Sequence, residues 1–201
     1  MADSDSRGGS SLRTAVNLEY ATIGWNMLEA AIAVGSGIVA GSVALVAFGL
    51  DSAIEVVSAT VVLVHLRTVL VGAEPDPVRQ RRALRTIAGT FFALAAYVTV
   101  DAVVALLRSD RPSASPIGLA VTAAAVLVMP ALAWAKRRTA ASLSAQGQSA
   151  SAALLHADAA ETQLCAVLSL ATLIGVGTNA AVGWWWADPL AGFVVVYFAI
   201  R

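Results

Sequence analysis

The chain has 201 residues, of which 58% are hydrophobic and 13% charged. Soluble domains carry about 25% charged and about 45–50% apolar residues, so a water-soluble core with a wet surface is excluded. Thirteen basic and thirteen acidic residues cancel, leaving no basic face for nucleic acid, and the lone Cys165 excludes an intramolecular disulfide or a multi-cysteine zinc site.

Residues 1–14 are rich in Ser, Gly and Asp, with Arg7 and Arg13. Their composition predicts a disordered tail, and no apolar stretch ending in a small-residue cleavage site marks them as a signal sequence. From residue 15 to 201 the chain reads as one membrane domain. A transmembrane helix takes about 20 mostly apolar residues, and six segments supply that length: 17–39, 42–66, 83–107, 116–135, 152–176 and 184–200. Gly35-Ser36 and Gly41-Ser42 punctuate the first turn, and Glu74-Pro75-Asp76-Pro77 breaks the second connection. The stretch from Ser113 to Pro116 opens the fourth span, and Pro130 predicts a kink in it. Asp188 before Pro189 reads as the N-cap of the sixth helix with proline in its first turn.

The fold expectation is therefore all-α, a polytopic membrane protein of six transmembrane helices. With both termini cytoplasmic, eleven basic residues lie inside: Arg7, Arg13, Arg67, Arg79, Arg81, Arg82, Arg85, Lys136, Arg137, Arg138 and Arg201. Arg108 and Arg111 alone lie outside, the asymmetry that the positive-inside rule describes. Trp184, Trp185 and Trp186 then fall at the outer interface, where indole rings prefer to sit.

A charged side chain at the centre of a membrane helix costs about 2.5–3.5 kcal/mol on insertion scales. The second span nevertheless carries Asp51 and Glu55, four residues apart, and the fifth carries Asp158 and Glu161 with Cys165 four further on. Helical periodicity puts each group on one face, and the two faces satisfy each other best by meeting. Burial favours the protonated carboxyl, whereas a dication pairs with carboxylates and displaces their protons. Asp51, Glu55, Glu161 and Cys165 ionised together around a dication would still carry net negative charge. Some ligands then keep protons, which makes metal-for-proton exchange a natural mechanism.

Each of these residues also has a plainer reading. The acids can bond neighbouring helices as protonated pairs, and a buried cysteine is usually a small hydrophobe. Glu29, near the middle of the first span with Glu19 and Asn26, is a candidate for a proton path. Asp158 lies nearer the cytoplasm, placed to support the ligands or to gate. His65 falls about 15 Å below Glu55 at 1.5 Å per residue, and His156 points away from the Glu161 face; neither is expected to be a ligand. No His-Glu-x-x-His pattern occurs, which argues against a metalloenzyme.

At these residues the chain resembles the cation diffusion facilitator family of metal–proton antiporters. The resemblance lies in Gly41-Ser42-Val43-Ala44-Leu45 followed by Asp51-Ser52-Ala53-Ile54-Glu55, in Ala157-Asp158 of the fifth span, and in Ala187-Asp188-Pro189-Leu190-Ala191 at the sixth. It extends over roughly residues 17–201. It implies a metal site of Asp51, Glu55, Glu161 and Cys165, a homodimer, and no resident cofactor. The family's fifth-helix pair is commonly His and Asp, whereas this chain has Glu161 and Cys165. Oxygen with one sulfur suits Zn2+ or Cd2+, with Co2+ possible, better than Mg2+ or Ca2+. Members commonly carry a soluble cytoplasmic domain after the sixth helix, which the sequence to Arg201 does not include.

The expected function is a secondary transporter that exports zinc, or cadmium or cobalt, in exchange for protons. Its expected location is a bacterial plasma membrane, and its partners are the ion, protons and the bilayer. The alternative is a non-transporting membrane scaffold or a metal-sensing partner, in which the acidic cluster is structural.

Overall fold

A computed structural model describes residues 2–109 and 111–200, with side chains for all of these except residues 2–8, 79, 80, 83, 84, 86, 87 and 199. Six helices follow in chain order: α1 (Ala2–Ala40), α2 (Val43–Leu70), α3 (Pro77–Arg108), α4 (Pro116–Ala145), α5 (Ser149–Val182) and α6 (Ala187–Ala199). Five have the length and hydropathy to cross a membrane, and α6 is a shorter apolar helix. The chain is a polytopic, all-helical membrane protein.

The helix ends follow local chemistry. Ser42 caps α2 by accepting from the Leu45 N–H at 3.1 Å. Ser115 caps α4 in the same way from the Gly118 N–H at 3.1 Å, with Pro116 in the first turn, where its missing N–H is no loss. Gly183 ends α5 in a left-handed conformation, φ 72°. The helix α4 continues through Pro130.

Several helices run past the expected spans, and two boundaries differ in kind. A disordered tail was expected over residues 1–14, of which Met1 lies outside the described residues. Here α1 starts at Ala2, and Leu12 and Ala15 are buried in an apolar cluster with Leu66, Leu143 and Leu155. The inward stripe of Leu12, Ala15 and Glu19 repeats every three or four residues and extends the helix into a stretch whose Ser and Gly content hides it. The sixth helix has 13 residues and starts at Ala187, not at Trp184. The preceding residues form a turn in which Trp184 and Trp186 stack with centroids 5.2 Å apart.

Four helices close a ring: α1 packs on α2 and α4, α4 on α5, and α5 on α2. The helices α3 and α6 pack on each other and lean on α2, with α6 also touching α5. The helices α1 and α2 approach closely. A Cβ on Gly37 would stand 2.8 Å from the Val46 backbone nitrogen, and one on Gly49 would stand 2.8 Å from that of Val34. Small residues at such crossings let membrane helices pack backbone to backbone.

Candidate metal site

The helices α2 and α5 run antiparallel, and their polar faces meet in register. Ser58 Oγ donates to Glu161 Oε2 at 2.5 Å, and Thr162 Oγ1 donates to Glu55 Oε1 at 2.8 Å. Farther along, Cys165 faces Asp51 and Glu55 closely enough to interact with both. Asp51, Glu55, Glu161 and Cys165 line one cavity of about 30 Å³ together with Phe91, Leu164, Leu168 and Phe198. About 10–15 Å³ suffices for a single water, so the space admits a small ion or a water.

The four side chains share the cavity without converging. Among the described residues no three His, Cys, Asp or Glu side chains come together as an ion-holding group. The hydroxyls supply one reason: Ser58 holds one Glu161 oxygen and Thr162 one Glu55 oxygen. Glu55 Oε2 and Glu161 Oε1 are left buried without a hydrogen-bond partner.

Glu29 approaches the same region from α1. It has no solvent exposure, neither carboxylate oxygen meets the geometry of a hydrogen bond, and it lies near enough to Asp51 and Glu55 for their charges to interact. It ends a stripe of buried polar side chains, Glu19, Thr22, Asn26 and Glu29, spaced three, four and three residues apart along α1. Thr22 Oγ1 and both amide atoms of Asn26 are also buried without partners.

Asp158 lies outside the cavity. Its Oδ2 accepts from Lys136 Nζ, and the same ammonium reaches Glu19 Oε2 at 3.3 Å and Thr162 Oγ1 at 3.3 Å. Lys136, counted above with the eleven inside basic residues, has a fully buried side chain held between Glu19 of α1 and Asp158 of α5. The asymmetry of basic residues becomes ten against two without it. Of those ten, the side chains of Arg7 and Arg79 and the whole of Arg201 lie outside the described residues.

Asp188 also departs from its expected role. It caps α2 from across the bundle, accepting from Ser42 Oγ at 2.5 Å and from the Ala44 N–H at 3.3 Å. His65, not expected as a ligand, pairs its Nε2 with Ser151 Oγ at 3.3 Å.

Sequence reasoning missed Ser58, Thr162 and the burial of Lys136. A signal for Lys136 existed: Ala125, Met129, Ala133, Lys136, Ala140 and Leu143 form the inward stripe of α4 at steps of three and four, and Lys136 lies within it. Thr162 follows Glu161 directly and shares the inward arc of α5 with Asp158 and Cys165.

The family model for the cation efflux transmembrane domain matches residues 84–201, which include Lys136, Asp158, Glu161 and Cys165. No curated protein matches the chain.

Proposed function

The chain belongs to the cation efflux family, whose members are membrane transporters, and from that premise we propose that it exports Zn2+, with Cd2+ or Co2+ as alternatives, in exchange for protons. The observation that carries this reading is the shared cavity of Asp51, Glu55, Glu161 and Cys165, built from two helices whose acidic faces meet. Three carboxylates and a thiol form a donor set suited to a borderline or soft dication.

In this reading the ion is the substrate. It draws Glu55 off Thr162 and Glu161 off Ser58, so that oxygens now spent on hydroxyls turn into the cavity. Ion entry displaces the protons that these groups carry without it, and proton return releases the ion. Glu29, buried near Asp51 and Glu55, is the side chain we assign to carrying protons to and from them. The termini are cytoplasmic in this proposal, and Arg67, Arg137 and Arg138 mark the cytoplasmic side.

One observation favours a second reading. Ser58 and Thr162 already bond the two glutamates, as they would in a structural cluster that joins α2 to α5 and moves nothing. Reconstitution in liposomes containing a zinc-sensitive dye separates the two. Zinc entry that follows an imposed pH gradient and is lost in Asp51→Ala supports antiport. Absence of zinc, cadmium and cobalt flux in the unaltered protein leaves the structural cluster.

A further inference from the structure

Ser11 meets Ser142 and Glu19 meets Lys136, so α1 and α4 run antiparallel where they pack. An open groove of about 390 Å³ lies between them there, within the range of about 300–1,000 Å³ common for ligand sites. Ser11, Thr14 and Leu18 of α1 face Trp134, Arg138 and Ser142 of α4 across it, each set at helical steps of three and four. The groove is polar at one end and apolar at the other. At the polar end Ser11 Oγ and Ser142 Oγ lie 3.0 Å apart, and Gln146 Nε2 donates to both, at 3.0 and 3.1 Å. Leu18 and Trp134 line the apolar end. Eight residues separate Ser142 from Trp134, about 12 Å along the helix.

Arg138 stands between the two ends. Its guanidinium lies 5.2 Å from the centroid of the Trp134 ring, and among the described residues no carboxylate pairs with it. The described lining of the groove contains no acid. A guanidinium held over a ring face keeps its N–H fork for an oxyanion, and the fork matches phosphate in a bidentate way. The apolar run of α4 ends at Ala135, and the exposed Arg137 and Arg138 follow. The groove therefore lies where hydrocarbon gives way to headgroups, the level that tryptophan prefers.

We infer that this groove binds the phosphate of an anionic phospholipid with a small headgroup, drawn from the adjoining leaflet. Arg138 forks onto the phosphate, the Ser11–Ser142 pair meets the rest of the headgroup, and an acyl chain descends past Leu18 and Trp134. A free phosphate would use the polar end and leave the apolar end empty, so the two-ended lining favours a lipid. Bound in this way, the lipid joins α1 to α4 from outside the bundle. The orientation proposed above makes the leaflet cytoplasmic; the site needs neither that orientation nor ion transport.

Native mass spectrometry tests this on the purified full chain, equilibrated in detergent with equimolar phosphatidylglycerol and phosphatidylcholine. The unaltered protein is expected to retain one phosphatidylglycerol per chain in preference to phosphatidylcholine. Arg138→Gln should weaken that retention about fivefold, the worth of one basic residue at a membrane surface. Arg137→Gln, at an exposed arginine outside the groove, should leave it unchanged. Both arginines are exposed, so both variants should fold, and unfolding temperatures without lipid verify this. Added phosphatidylglycerol should raise the unfolding temperature of the unaltered protein and of Arg137→Gln more than that of Arg138→Gln. Equal loss in the two arginine variants overturns the inference, since it shows only the attraction of a charged surface. Equal retention of both lipids overturns it as well. So does displacement of phosphatidylglycerol by millimolar inorganic phosphate, which makes the occupant a free anion. Dimers that Arg138→Gln breaks, with no lipid retained, would seat a second copy of the chain in the groove and overturn it too.

Discussion

Asp188 of α6 closes the N-terminus of α2 through Ser42, whose hydroxyl donates to Asp188 Oδ1 at 2.5 Å while accepting from the Leu45 N–H. The first turn of α2 would otherwise present bare N–H groups. One of them, on Ala44, is taken up by Asp188 Oδ2 at 3.3 Å. The helix that carries Asp51 and Glu55 is thus fixed at its start by a residue 146 positions away in the chain.

Asp188→Ala should therefore destabilise the protein more than Ser42→Ala does. It strands a hydroxyl and an N–H in a buried place, at about 1–3 kcal/mol for each unsatisfied group, against about 1 kcal/mol for loss of a serine cap. Thermal unfolding in detergent measures both. The double variant should lose less than the sum, because the two residues share one interaction. Full additivity would mean that the Ser42–Asp188 bond contributes nothing.

The hydroxyl donors give a second expectation. Ser58→Ala and Thr162→Val each release one glutamate oxygen toward the cavity. If the ion must displace those bonds, each substitution raises Zn2+ affinity by the net worth of a hydrogen bond to a charged acceptor, about 1.5 kcal/mol, or about tenfold. Equilibrium dialysis reads this directly. Weaker binding in both variants would show that the hydroxyls hold the glutamates in their ion-bound orientation.

The helical architecture and the meeting of α2 with α5 were legible because both rest on periodicity. Asp51 and Glu55 share a face, as do Glu161 and Cys165, and acids within a membrane leave few other solutions. What was not legible depended on partners remote in sequence. Lys136 stands next to Arg137 and Arg138, and composition groups the three together. Only the stripe of α4 turns the first inward while the other two are exposed. Asp188 before Pro189 has the local form of a cap for its own helix, and nothing nearby in the sequence indicates that its carboxylate reaches Ser42. The first turns of α1 were hidden by composition, since Ser and Gly dominate a segment whose few apolar residues are nevertheless in phase.

Cys165 tests the identity of the ion. It is buried and belongs to the apolar cluster that contains Phe48 and Met129, as a merely hydrophobic cysteine also would. Cys165→Ser keeps the volume close and exchanges a soft donor for a hard one. If sulfur binds the ion, Cd2+ affinity should fall about tenfold while Co2+ affinity changes less, since thiolate discriminates by softness. Competition dialysis with paired metals gives the ratio. An equal, small change for both ions assigns Cys165 to packing and leaves three carboxylates as the donor set.

The final expectation concerns the scaffold that sets these distances. Gly49 lies two residues before Asp51, and a Cβ there would meet Val34 Cγ2 at 2.7 Å and the Val34 backbone nitrogen at 2.8 Å. A side chain of α1 can turn away, but a backbone nitrogen moves only with its helix. Gly49→Ala should push α1 from α2 and cost about 1–3 kcal/mol as overpacking, despite the higher helix propensity of alanine. Gly35 is the matched control: it lies in the same helix pair with nothing within 4 Å of the added carbon. Gly35→Ala should be neutral or stabilising by up to about 1 kcal/mol. Opposite shifts of the two unfolding temperatures in detergent are the expected result. Because α1 also carries Glu29, Gly49→Ala should weaken zinc flux as well, whereas Gly35→Ala should preserve it. Equal behaviour of the two variants in both assays would mean that the α1–α2 spacing does not set the geometry around Asp51.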